Sequence, residues 1–321
     1  MSSNPKILIN PPNDPLSKTL PVERMRYLEA ATSKRTRQAY QQDIRHFMRS
    51  GRGLPTTASK LIDYLTEYAP QLNSRTLARR LTAIKHWHLY QGFDDPTQYP
   101  AVRKLLTGIK NIHGVPVTKA PALELNALQK MSTLLKKTHY LIDCRNLALL
   151  QVGFFGALRR SELVNLKWEQ LQWSSQGIEI MIPRSKTDQM GSGQSCIIPL
   201  GVKDLCAVTA LKNWAKQANL QQGPVFRKIT KNGKLANGAI SAAQCNLILK
   251  NIAQRCHLPN AQAYSSHSLR RGFATLASQQ GAPFQAIMRQ GRWRHEATVL
   301  GYIQQGTQFK DNANHFIFKN D

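Results

Sequence analysis

Between residues 33 and 113 the hydrophobic positions recur at helical spacing in four separate stretches. Tyr40, Ile44, Phe47 and Met48 line one face, and Thr32 or Ser33 can cap the start of that helix. Leu61, Ile62, Leu65 and Tyr68 form a second face. Leu77, Leu81, Ile84 and His88 form a third, which begins after Asn73 and stops at Gly92; Val102, Leu105, Leu106 and Ile109 follow Pro100 as a fourth. Four or five short amphipathic helices predict a small all-α domain over residues 23–113. Residues 1–22, rich in Pro, Asn and Ser, read as a flexible arm, and residues 114–122 hold a glycine and two prolines, as a linker would. From 123 to 305 helical patterns dominate except at one place. There Ile178, Ile180 and Ile182 alternate with less apolar neighbours, and Cys196-Ile197-Ile198-Pro199 answers after Gly191-Ser192-Gly193, as in a β-hairpin. Residues 306–321 make a tail with Phe309, Phe316, Ile317 and Phe318, much apolar surface for a terminus. The fold class is therefore mainly α with a small antiparallel β-sheet, in two domains.

Charge changes this picture most. The 321 residues carry a net charge of +26. Residues 1–118 hold 18 Lys/Arg against 8 Asp/Glu (+10), and residues 119–321 hold 26 against 10 (+16). Two basic halves suit a polyanion whose counterions are released on binding. No stretch is apolar and long enough to cross a bilayer, and the N-terminus lacks the apolar core of a secretory signal. Cys144, Cys196, Cys206, Cys245 and Cys256 are odd in number and contain no Cys-x-x-Cys pair. That predicts reduced thiols in a cytoplasmic, nucleoid-associated setting and no structural zinc. No glycine-rich phosphate loop is present, so no nucleotide cofactor is implied.

In the second half, chemistry-bearing residues stand in a fixed order. Arg159 follows the apolar run Phe154–Leu158, where an unpaired charge is costly, and Glu162 is one turn on, placed to brace its guanidinium. Lys186 begins the turn-rich connection of the predicted hairpin. His267 and Arg270 share a helical face just after Ser265-Ser266, a suitable N-cap, whose helix N-terminus favours phosphate. Trp293 follows Gly291-Arg292, and Tyr302 comes nine residues later. Five of these six can donate hydrogen bonds to anionic oxygen, and the sixth, a phenol, can attack phosphorus. Arg160, Arg271, Arg292 and Arg294 flank these positions, either as backbone contacts to a polyanion or as solvated charges.

In order, spacing and local motif this set resembles the tyrosine recombinases, the lambda-integrase-like strand-exchange enzymes. The segment from Ile287 to Ile303 looks especially like their Cre branch. The resemblance covers about residues 25–318 and implies two domains forming a C-shaped clamp on double-stranded DNA, with a helical core-binding domain at 23–113 and the catalytic domain at 123–305. It implies that Tyr302 forms a 3′-phosphotyrosyl bond, without metal, cofactor or ATP. Arg159 and Arg270 would offset the phosphate charge, His267 would be the likeliest base, and Lys186 would protonate the departing 5′ oxygen. Trp293 stands where many members carry histidine; it can donate a hydrogen bond but cannot transfer a proton at neutral pH, which makes it a positioning residue. A free phenol ionises near pH ~10, so attack needs a base or cationic neighbours.

The resemblance also lays the first and third helices against the major groove. Gln38 and Arg79 then become candidate base readers, and Arg75 and Arg80 phosphate contacts. It implies a protein encoded by a prokaryote, phage or plasmid, monomeric in free solution and tetrameric on two inverted-repeat sites, with residues 306–321 exchanged between subunits. Two other readings share parts of this pattern. A type IB topoisomerase or telomere resolvase would share the chemistry, and a catalytically silent DNA-binding regulator would share only the charge.

Overall fold

The chain divides into two units, residues 1–118 and 119–321. The structure is a computed structural model and describes residues 27, 31–116, 118–138, 140–183, 193–307 and 314. The expected arm at 1–22, Lys186 and nearly all of the tail lie outside the described residues.

In the first unit the four predicted helices are α1 (Lys34–Arg49), α2 (Ala58–Tyr68), α3 (Ser74–Tyr90) and α4 (Pro100–His113). Their starts follow from side-chain chemistry. Ser33 accepts from the Thr36 N–H at 3.1 Å, Thr57 from Lys60 at 3.4 Å and Asn73 from Arg75 at 2.9 Å, while Pro100 supplies a helical φ with no N–H to orphan. Ile44, Phe47, Leu61, Tyr64, Leu65, Leu77, Ile84 and Val102 are buried together. Met48, expected on the apolar face of α1, is 48% exposed instead. His88 sits in the core as a satisfied ring, accepting from the Thr56 N–H at 3.0 Å through Nε2 and facing the Ile84 carbonyl at 2.9 Å through Nδ1.

The second unit is organised on α6 (Leu141–Phe155), which follows α5 (Leu125–Lys137). Leu147 to Phe154 are buried without interruption, as in a helix surrounded by others, and the polar Gln151 among them donates to the Ser132 hydroxyl at 3.1 Å and the Asp204 carbonyl at 2.7 Å. It packs against α5, against α8 (Ala207–Ala218) and against α10 (Ser266–Gln279). The short α7 (Arg160–Val164) packs against α6 and against α9 (Ala242–Arg255), and α11 (Phe284–Gly291) and α12 (Glu296–Thr307) follow. The last runs two residues past the expected domain end at 305.

The predicted hairpin is β2 (Gly177–Ile182) and β3 (Gln194–Pro199), antiparallel, with Ile178 opposite Ile198 and Ile180 opposite Cys196. These side chains and Ile182 point into the core, while Ile197 is 58% exposed, as the two-residue period requires. Two features were not anticipated: β1 (Leu171–Trp173), which adds to β2, and a second hairpin of β4 (Arg227–Ile229) with β5 (Leu235–Ala239). Gly272 permits close approach of the chain entering the unit, since a Cβ there would stand 2.2 Å from the Leu123 carbonyl oxygen. All five cysteines are free thiols. No described helix is long and apolar enough to cross a membrane.

Candidate active site

The end of α6 delivers the first arginine. After Phe155 and Gly156, Ala157 takes a left-handed backbone (φ 43°), and the chain turns so that Leu158 is buried and Arg159 becomes the N-cap of α7. The Arg159 N–H donates to Glu162 Oε2 at 2.8 Å, and its guanidinium donates to Oε1 at 2.6 Å and to the Arg292 carbonyl at 2.8 Å. Glu162 thus braces Arg159 as the spacing predicted. It also accepts from Arg292 Nη2 at 3.0 Å. Burial alone would raise the Glu162 carboxyl, but the Arg292 charge and the Arg159 hydrogen bonds outweigh it and hold its pKa below the ordinary value. One ionised carboxylate therefore serves two guanidinium groups.

The N-terminus of α10 delivers the next pair. Ser265 caps it, accepting from the His267 N–H at 3.3 Å. Arg270, one turn on, is buried, donates to the Ala157 carbonyl, and lies 4.1 Å from the centre of the Trp293 ring. Such a cation–π contact is worth about 2 kcal/mol when desolvated. Burial, followed by the charges of Arg159 and Arg292, pushes the Arg270 pKa down to about 9. Three cations around one carboxylate leave the cluster in need of an anion. His267 is open at the surface, but crowding by its neighbours and then the charges of Arg160, Arg270 and Arg271 push its imidazole below the ordinary 6.5. It is neutral at pH 7 and able to accept a proton.

Trp293 and Tyr302 come from the last two helices. Helix α11 ends at Gly291, Arg292 adopts the left-handed backbone (φ 53°), and Trp293 turns back over Arg270. The Trp293 and Tyr302 rings meet edge to face with centres 6.2 Å apart, and the Arg271 guanidinium lies 5.4 Å from the Tyr302 ring centre. The Thr275 hydroxyl donates to the Tyr302 carbonyl at 3.1 Å, tying α12 to α10. Trp293 Nε1 is buried without a hydrogen-bond partner among the described residues. A phosphate oxygen would satisfy it.

The structure thus brings together Arg159, Glu162, Arg270, Trp293 and Tyr302, with His267 beside them. Lys186 lies outside the described residues. Sequence reasoning left Arg271 and Arg292 undecided and overlooked Gln290, whose amide donates to the Phe155 carbonyl at 2.8 Å and the Ile197 carbonyl at 2.9 Å and so fixes α11 against α6 and β3. Nothing in a flanking arginine or a helical glutamine signals such roles in advance. Among the described residues, no group of His, Cys, Asp or Glu is placed to hold a metal ion.

In the first unit, the expected phosphate contact Arg80 is corrected. Its side chain is only 10% exposed and donates to the Tyr64 hydroxyl at 2.7 Å and His46 Nδ1 at 2.9 Å, with Asp43 at 3.5 Å. A guanidinium so enclosed braces the domain interior. Arg79 is half exposed and forms a forked pair with the buried Asp43 at 2.8 and 2.9 Å. Gln38 is exposed on α1, and Arg75 is exposed on α3 with one N–H to the Val115 carbonyl at 3.1 Å.

Two arginines, an indole and a phenol are thus gathered on this helical scaffold. Residues 125–308 match the model of the phage integrase family, and the chain belongs to that family, the tyrosine recombinases. It is 34% identical over 303 residues to an integrase/recombinase xerD homolog of Selenomonas ruminantium, covering 92% of this chain and 88% of that protein. It is 25% identical over 268 residues to the recombinase Cre of Escherichia phage P1, covering 78% and 76%. Likeness to the Cre branch is thus real but not exclusive. The fold also matches a lambda integrase dimer bound to a COC′ core site, with TM-score 0.59 over 88% of this chain and 75% of that one, at 12% identity. The chain is a tyrosine-type site-specific recombinase that acts on DNA.

Proposed function

We propose that Tyr302 attacks a DNA phosphodiester, forming a 3′-phosphotyrosyl bond and releasing a 5′ hydroxyl. The observation that carries this reading is the convergence of Tyr302, Trp293 and Arg270 in one cluster with a deficit of negative charge. Arg159 and Arg270 take the non-bridging oxygens, Trp293 Nε1 donates to one of them, and neutral His267 receives the phenolic proton. Fixed donors of this kind are each worth about 2.7–4 kcal/mol of transition-state stabilisation. Lys186 is the proposed acid for the 5′ oxygen. The ester conserves the bond energy, so rejoining needs neither ATP nor metal.

Gln38, Arg75 and Arg79 are the proposed contacts of the first unit with double-stranded DNA, Arg79 being held in place by Asp43. The working assembly is a homotetramer on two inverted-repeat sites, formed from free monomers. A groove of about 520 Å³, lined by Phe155, Ile197, Leu200, Phe273 and Ile287, supports this as the place to bury Phe309, Phe316, Ile317 and Phe318 of a second copy.

The test uses the purified protein with genomic DNA fragments, excess chelator and no ATP, followed by denaturation and sequencing of DNA that remains attached. Expected are protein-linked 3′ ends clustered at a recurring site. Linkage to 5′ ends, or strict dependence on a divalent ion, contradicts the reading.

A further inference from the structure

Arg292 makes contacts from both of its ends. Its side chain is 3% exposed, and Nη2 donates to Glu162 Oε2 at 3.0 Å while Nη1 donates to the Gln290 carbonyl at 2.8 Å. Its own carbonyl accepts from Arg159 Nη2 at 2.8 Å. Its chain neighbour Trp293 covers Arg270. Its backbone lies in the left-handed region at φ 53°, ψ 44°, a conformation that favours glycine and that an arginine adopts only when its surroundings impose it.

The charge arrangement gives this strained arginine a purpose. The Arg159 guanidinium binds Glu162 through Oε1, and the Arg292 guanidinium binds it through Oε2, beside the Arg159 backbone N–H. Were Arg292 absent, the whole carboxylate charge would fall on Arg159, the guanidinium meant for phosphate. With Arg292 present, the carboxylate is shared and Arg159 retains positive charge to spend on a ligand.

We infer that Arg292 is a positioning residue for strand cleavage: its side chain takes up half of the Glu162 charge, and its carbonyl aims the Arg159 guanidinium at the scissile phosphate. The inference rests on the proposed role of Arg159. It concerns a residue that contacts the catalytic group and not the substrate.

Arg292→Gly is the informative variant, because glycine relaxes the left-handed backbone and keeps the carbonyl while removing the charge. Single-turnover covalent adduct formation should fall by about 10- to 100-fold, the usual range for a lost supporting contact, with DNA affinity within about threefold of the parent. A purely structural loss would make a second lesion in the same network worse. The inference predicts the reverse: Arg292→Gly combined with Glu162→Gln, which removes the unshared carboxylate charge, should recover at least about tenfold over Arg292→Gly alone. Arg292→Asn, with and without Glu162→Gln, repeats the comparison with another residue that tolerates this backbone. If Arg292→Gly cleaves within about threefold of the parent, or if the paired variants are as slow as the single ones, Arg292 has no such role. A parent that forms no adduct at all would instead defeat the proposed function, so the two failures are distinguishable.

Discussion

At the residue scale, the site is an arrangement of unequal burdens. Glu162 stays ionised because two cations share it, Arg270 is buried among like charges, and burial, followed by the charges of Arg160, Arg270 and Arg271, favours the neutral form of His267. Because the folded protein depresses the His267 pKa, its neutral form is favoured in the fold. The associated stability is present in full above the ordinary 6.5 and is lost as the pH falls from there toward the depressed folded value. As a base, it has the same pH direction. The second-order rate of adduct formation should be flat through neutral pH and fall only below about 6.5, and His267→Gln should abolish that acid limb along with most of the rate. An acid limb that persists in His267→Gln would assign the proton transfer to another group.

At the scale of elements, helix faces were easier to read than single side chains. The four helices of the first unit and the β2–β3 hairpin follow from periodicity that burial enforces, so most of their inward faces were legible, Met48 being the exception. Arg80 shows where that reading failed. It stands three residues after Leu77 and four before Ile84, on the buried stripe, but its charge suggested an outer face; the partners that make burial tolerable, Asp43, His46 and Tyr64, come from α1 and α2. The short strands β1, β4 and β5 were not legible because three to five residues carry too little alternation. The candidate site side chains stood in the sequence as a series, whereas Arg292 was not legible: its proposed role depends on a left-handed backbone at a non-glycine residue and on a carboxylate 130 positions away in sequence.

The junction of α11 with Trp293 provides a test at this same scale. A Cβ on Gly291 would stand 1.8 Å from the Trp293 ring, so Gly291→Ala must displace the indole from Arg270. Overpacking of this kind costs about 1–3 kcal/mol. Calorimetry should record a lower melting temperature, and adduct formation should drop with it; a variant unchanged in both would mean that the ring has room to shift without consequence.

At the scale of the molecule, two basic units of +10 and +16 meet the requirement of a polyanionic partner, and the family assignment names it as DNA. The central claim is that Tyr302 becomes the covalent link to that DNA. The most direct measurement is to digest the trapped adduct with protease and nuclease and to identify by mass spectrometry the peptide carrying the nucleotide phosphate, in the parent and in Tyr302→Phe. Only a hydroxyl separates the two proteins, so both should bind DNA within about threefold of each other. The account predicts that the parent adduct is on Tyr302 and that Tyr302→Phe yields none. Nucleotide found on any other residue, or undiminished adduct from Tyr302→Phe, would contradict it.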